Sequence, residues 1–94
     1  MVFAKARRAA MDAARVLGKR VRVIIEGADV FLDRKVVEML TDPLIHLARN
    51  AVDHGIEPPD ERVRLGKPAE GVVRLVAQRD GMYVRIAVED DGRG

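Results

Sequence analysis

The sequence predicts an α+β domain, and three observations carry that prediction. The alanine-rich run at 3–17 holds no Pro or Gly and has apolar residues at helical spacing. The run at 20–26, Arg-Val-Arg-Val-Ile-Ile-Glu, alternates at its start and is β-branched, as a strand requires. Two more alternating runs, 72–79 and 82–89, flank Asp80-Gly81, a dipeptide that favours a hairpin turn.

The elements follow in order along the chain. In the first helix Phe3, Ala6, Ala10, Ala13, Ala14 and Leu17 form the apolar stripe, and Gly18 is its natural stop. After the strand at 20–26, the turn at 27–29 leads into Val30-Phe31-Leu32, read as a short return strand. Asp33 can cap a helix from Arg34 to about Leu40. Thr41-Asp42-Pro43 then restarts the helix, with Asp42 at the N-cap and Pro43 at the first helical position. This second helix is expected to run to about His54 and to end at Gly55. Residues 55–71 form a connection rich in Pro and Gly, with a short helix at 59–65 inside it. The last strand leads into the acidic, glycine-containing segment at 90–94.

Ninety-four residues make one domain at most. At 48% hydrophobic and 34% charged the chain is globular rather than disordered. With 3% aromatic residues its core must be aliphatic, and valine dominates it. A chain of this size buries only about 60–65% of its unfolded surface, so modest stability is expected. Without cysteine there is no disulfide, no thiolate nucleophile and no Cys-based zinc site, which suits a reducing cytoplasm. No apolar stretch approaches the roughly 18–20 residues of a membrane span. The net charge of +2 hides seven basic residues against Asp12 within residues 1–22. A nucleic-acid arm, an organelle presequence and the solvated face of a helix all fit that segment; the alternation of Arg with Ala favours the last.

The helix at 43–54 carries the chemistry. Leu44, Leu47, Ala48, Ala51 and Val52 make one buried face. The other side presents His46, Asn50, Asp53 and His54, where an ordinary surface helix would show Glu, Lys and Arg. His46, Asn50 and His54 stand at i, i+4 and i+8, in a single row. Asn is a poor mid-helix residue, and its amide oxygen suits a hard cation such as Mg²⁺. A hydrogen bond from Asn50 into a neighbouring loop would explain it equally well, and both histidines could be ordinary surface residues. Zinc on the histidine row lacks an obvious third ligand. The second constellation is Asp90-x-Gly92-x-Gly94 at a strand end. Glycines allow close backbone approach to a ligand, and a carboxylate can accept from an amino group. An ordinary Asp-Gly turn would look the same.

Taken together, the two constellations resemble a known pair. The stretch 42–57, Asp-Pro-Leu-Ile-His-Leu-Ala-Arg-Asn-Ala-Val-Asp-His-Gly-Ile-Glu, is similar to the N box of the GHKL ATPase/kinase superfamily. Its His-x-x-x-Asn-x-x-x-His row, its Asp-His-Gly-Ile-Glu exit and the following Pro-Pro-Asp-Glu-Arg and Gly-Lys-Pro resemble the CheA family of chemotaxis histidine kinases. Asp90-Asp91-Gly92-Arg93-Gly94 looks like the G1 box of the same superfamily. Leu17-Gly18-Lys19-Arg20-Val21 and Ile25-Glu26-Gly27 resemble the entry strand, so the likeness covers roughly 15–94. The resemblance implies a partial GHKL (Bergerat-type) sandwich, a mixed sheet with helices on one face. It makes residues 1–18 a linker helix from a dimerisation domain and 19–94 the N-terminal portion of a HATPase domain.

The resemblance further implies ATP and Mg²⁺ as ligands. The position of Asn50 would hold Mg²⁺, that of His46 would lie near the γ-phosphate and assist transfer, and that of His54 would contact phosphate or ribose. Asp53 lies within the same box and is assigned to nucleotide binding with it. Asp90 would accept from the adenine amino group, with Gly92 and Gly94 leaving room for the base. The reaction implied is transfer of the γ-phosphoryl group to a histidine on a separate domain, in a cytoplasmic kinase that also meets receptor and coupling proteins. Such chemistry asks for positioning and charge neutralisation more than covalent participation. The family's lid and second glycine box are absent from these residues. The chain is therefore expected to bind ATP weakly or not at all, without turnover.

A non-enzymatic, self-associating homo-oligomer is the alternative, because a part-covered sheet leaves an open edge. Nucleic acid is not an expected partner, since the basic segment lacks interleaved aromatics for stacking. ATP hydrolysis by the 94-residue chain is the discriminating measurement. None is expected, and turnover that disappears in Asn50→Ala would overturn the expectation.

Overall fold

The structure is a computed structural model that describes residues 2–27 and 29–93. Helix α1 (Ala4–Leu17) buries Ala6, Ala9, Ala10 and Ala14. Small side chains on that face let the helix lie close to its neighbours, and Phe3, just before it, is fully buried. Gly18 ends the helix in the left-handed region at φ 68°. The next amide, Lys19 N–H, donates back to the Ala14 carbonyl at 2.9 Å.

Strand β1 (Val21–Glu26) pairs in parallel with β2 (Gly71–Asp80), and β2 pairs antiparallel with β3 (Tyr83–Asp90). The sheet is thus mixed, in the order β1-β2-β3. Side chains alternate across it. Val23, Ile25, Val73, Leu75, Ile86 and Val88 join the helices in one core. On the opposite face Arg74 forms ion pairs with Glu26 and Glu89. The hairpin loop is Gly81-Met82, one residue later than expected, because Asp80 pairs with Tyr83. Gly81 takes φ 62° at the first loop position, the one a type II′ turn reserves for glycine.

Two expectations are corrected between β1 and β2. Val30-Phe31-Leu32 is not a strand. The Val30 amide closes a turn onto Gly27, and Val30 and Leu32 pack on the core while Phe31 is exposed. Nor does the helix restart at Pro43. Helix α2 (Arg34–Asn50) runs unbroken through it, with Asp33 as N-cap accepting from the Lys35 amide at 3.0 Å. Asp42 therefore caps nothing. The reason is packing: Val37, Leu40, Leu44 and Ala48 continue one stripe onto the core across the proline. Proline removes a single backbone bond, to the carbonyl one turn earlier, and the buried stripe outweighs that loss.

Beyond Asn50 the chain widens into a π-helical turn, Ala51–Gly55, in which the Ile56 amide reaches the Ala51 carbonyl at 2.9 Å. Helix α3 (Pro59–Arg64) follows, and the chain then enters β2. Helices α1 and α2, the π turn and the three strands share the one core, while α3 buries only Arg62, outside it.

Pro43→Ala would restore a donor to the middle of α2. An increase of about 1–2 kcal/mol in unfolding free energy is expected, read from the urea midpoint with the m-value unchanged.

Candidate functional site

Register brings the two sequence constellations together. Asp90 is the last residue of β3 and pairs with Val73, a core-facing residue of β2. Asp90 thus emerges on the helix-covered side of the sheet, where α2 and its π turn end. A cleft of about 290 Å³ lies between them, lined by Leu47, Asn50, Ala51, His54, Gly55, Val88 and Asp90. Three of the candidates, Asn50, His54 and Asp90, converge there. Leu47, expected in the core, is 49% exposed and lines the cleft instead. With Ala51 and Val88 it supplies an apolar wall.

The remaining candidates lie elsewhere. His46 is exposed one turn earlier and does not line this cleft. Asp53 faces a different groove, beside α1, with Asp12, Val16 and Arg49. Its carboxylate is 3.5 Å from His54 Nε2. Gly94 falls outside the described residues.

Gly92 meets Gly55 backbone to backbone. A Cβ on Gly92 would sit 1.8 Å from the Gly55 carbonyl oxygen, and one on Gly55 would sit 2.7 Å from an Asp90 carboxylate oxygen. The Arg93 amide donates to the Gly55 carbonyl at 2.9 Å, and the Gly92 amide to Asp90 Oδ1 at 2.9 Å. Gly55 does end the helical run, as expected, though not through a left-handed cap. Its missing side chain serves the approach of the 90–93 turn.

Two supports were not legible in the motifs. Lys19 Nζ donates to the carbonyls of Val52 and Asp53, at 2.8 and 2.9 Å. Those oxygens lose helical partners where the chain turns extended at Ile56, so a side chain 33 residues away caps the π turn. Glu57, just beyond it, is only 1% exposed yet charged. It accepts from Arg62 Nη1 at 2.9 Å and from Lys67 Nζ at 2.7 Å. These bonds hold its carboxyl down from 4.5 to about 2, the Lys67 bond first, then a backbone bond, with the Lys67 charge and Arg62 adding and burial opposing. A Glu followed at five and ten residues by Arg and Lys was visible in the sequence, but only burial separates such a cluster from a solvated charge run.

Among the described residues no group of three His, Cys, Asp or Glu side chains could hold a metal ion.

No protein-family model matches the chain. Individual proteins do. It is 48% identical over 93 residues to the sensor histidine kinase CheAY of Helicobacter pylori, and equally to the chemotaxis protein CheA of Treponema pallidum. Nearly the whole chain is similar to CheA. Against CheA of Bacillus subtilis the identity is 50% over 78 residues, 83% of this chain. In each case the chain spans about 12% of the relative's length.

Gly92→Ala must push the 90–93 turn off Gly55. A loss of about 1–3 kcal/mol is expected, with faster amide exchange at Arg93. Glu57 sets an acid limit. Its folded value is depressed, so its contribution is complete above pH 4.5 and is lost as pH falls towards 2. Urea midpoints measured across that window should fall, and Glu57→Gln should be less stable at pH 7 with a flatter profile.

Proposed function

We propose that this chain is the part of a chemotaxis histidine kinase that holds Mg–ATP, with residues 19–94 forming the N-terminal portion of a GHKL-type nucleotide domain. One observation carries the reading. Asn50 and His54 from a helix end, and Asp90 from a strand end, open onto one cleft whose wall is apolar. A few convergent polar groups on an apolar wall are what a small-ligand site needs. The similarity to CheA over nearly the whole chain supports the same assignment.

The roles follow from the chemistry of each group. Asp90 is a carboxylate at the open end of β3, suited to accept from the exocyclic amino group of adenine, and Leu47 and Val88 offer apolar surface to the ring. Close packing of Gly92 on Gly55 keeps backbone rather than side chain beside that carboxylate. At the other end of the cleft, Asn50 offers one amide oxygen and His54 an imidazole to the phosphates. The donor set fits magnesium rather than zinc: one neutral oxygen, with phosphate oxygens and water left to complete the shell. When bound, the cation would neutralise phosphate charge during transfer. His46, exposed and one turn earlier, is free to approach the γ-phosphate from outside the cleft. The acceptor histidine, like the receptor and coupling proteins of a cytoplasmic signalling kinase, would be supplied from beyond these residues.

Titration with Mg²⁺ and a non-hydrolysable ATP analogue, followed by NMR, tests the reading. Saturable shifts are expected at the Asn50 side-chain amide, the Gly92 amide and the Val88 methyls. In Asn50→Ala the magnesium dependence should disappear while the Val88 shifts remain. Affinity is expected to be weak, and shifts confined to residues away from the cleft would sink the proposal.

A further inference from the structure

Arg62 is the largest fully buried side chain in the structure. No role in the nucleotide reading uses it. Its guanidinium spends every nitrogen on a different segment. Nε donates to the Pro68 carbonyl at 2.7 Å, Nη1 to Glu57 at 2.9 Å, and Nη2 to Asp91 Oδ2 at 3.1 Å. Glu57 stands two residues beyond Gly55, at the exit of the π turn. Asp91 stands between Asp90 and Gly92, in the turn that approaches Gly55. Arg62 therefore bonds both sides of the contact that closes the cleft.

Asp91 is saturated in turn. Its Oδ1 accepts from the Val72 amide at 2.9 Å, and its own amide donates to the Val72 carbonyl at 3.2 Å. Lys67 Nζ reaches its backbone carbonyl at 3.2 Å. With its side chain directed to Arg62 and Val72, Asp91 leaves its neighbour Asp90 at the cleft. The two adjacent aspartates thus have opposite tasks, and burial of the partner decides which is which.

We propose that Arg62 is a positioning residue that, by binding Asp91 and Glu57 together, holds the Asp90 carboxylate at the cleft and sets the preference for a base with an exocyclic amino group. The base preference rests on the nucleotide reading above; the closure of the turn on Gly55 does not. A planar guanidinium is suited to this because its donors diverge in fixed directions, which an ammonium cannot reproduce.

The test uses Asp91→Asn, because Asp91 is 45% exposed whereas Arg62 is fully buried and its loss could unfold the chain. Val72 and Arg62 donate to different oxygens of Asp91, and asparagine replaces one of these with an NH2 that cannot accept, so one bond of the tie is lost. Arg62→Lys is the second variant, keeping the charge and losing the fork. Two quantities are measured. One is amide exchange at Arg93 relative to Leu75, with the α-proton cross-peak between Gly55 and Gly92. The other is the ratio of ATP to ITP affinity, since hypoxanthine lacks the amino group.

Both variants should accelerate exchange at Arg93 by about tenfold or more, weaken the cross-peak, and leave Leu75 unchanged. The ATP preference should narrow by about tenfold, the weight of one charge-assisted hydrogen bond. Uniform acceleration at Arg93 and Leu75 would mean a stability role only and would overturn the proposal, as would an unchanged Arg93. Accelerated exchange with an intact ATP preference would overturn it too. Failure of the unsubstituted chain to bind either nucleotide would count against the nucleotide reading, and the exchange data alone would then decide whether Arg62 holds the turn.

Discussion

The approach of Gly92 to Gly55 is the constraint on which the rest of the site depends. A Cβ on Gly92 would run into the Gly55 backbone, and one on Gly55 into the Asp90 carboxylate. Van der Waals contact at that distance exists only for glycine, so the pairing of helix end and strand end is written into two residues 37 positions apart. Because the contact is between main chains, the side chains on either side of it are released to face the cleft. Asp90 belongs to the sheet and Asn50 to a helix, yet both border one cavity since their backbones meet beside it.

Holding that contact closed takes forces of different kinds. The parallel pairing of β1 with β2 and the antiparallel pairing with β3 bring the end of β3 to the helix-covered face. A largely aliphatic core, with Phe3 its aromatic member and alanines along α1, allows close packing of that helix. The charged groups around Glu57 then tie the irregular segments, where backbone ladders cannot reach. A buried carboxylate is costly unless it is paired and fully hydrogen-bonded, and this one is both. The cluster therefore works as a tie between loops rather than as a general source of stability. With so few buried apolar residues, specificity of loop placement is hard to obtain from apolar burial alone.

The π turn at the end of α2 has a comparable logic. By widening the last turn it frees backbone carbonyls that a regular helix would have satisfied, and Lys19 takes them up. A helix end beside a ligand cleft is a common place for such irregularity. Here it also separates neighbouring candidates, turning Asp53 towards α1 while Asn50 and His54 border the cleft.

What the sequence by itself determined is local and periodic. The alanine helix with its glycine stop, the alternating strands and the hairpin were all legible, because their signals repeat within a few residues. The likeness to chemotaxis histidine kinases was legible for the same reason, being carried by short contiguous motifs. Tertiary structure decided the rest. Pro43 was a plausible helix start until the core stripe on either side of it proved continuous. Val30-Phe31-Leu32 looked extended, but a strand needs a partner, and none lies beside it among the described residues. Gly55 has the composition of a helix cap and the location of a packing contact. Nothing in the sequence singles out Glu57 and Arg62, and only their burial against each other reveals a tie. Gly55 with Gly92 and Arg62 with Asp91 join residues distant in sequence, whereas Glu57 and Arg62 are only five apart and it is their burial that no sequence window shows.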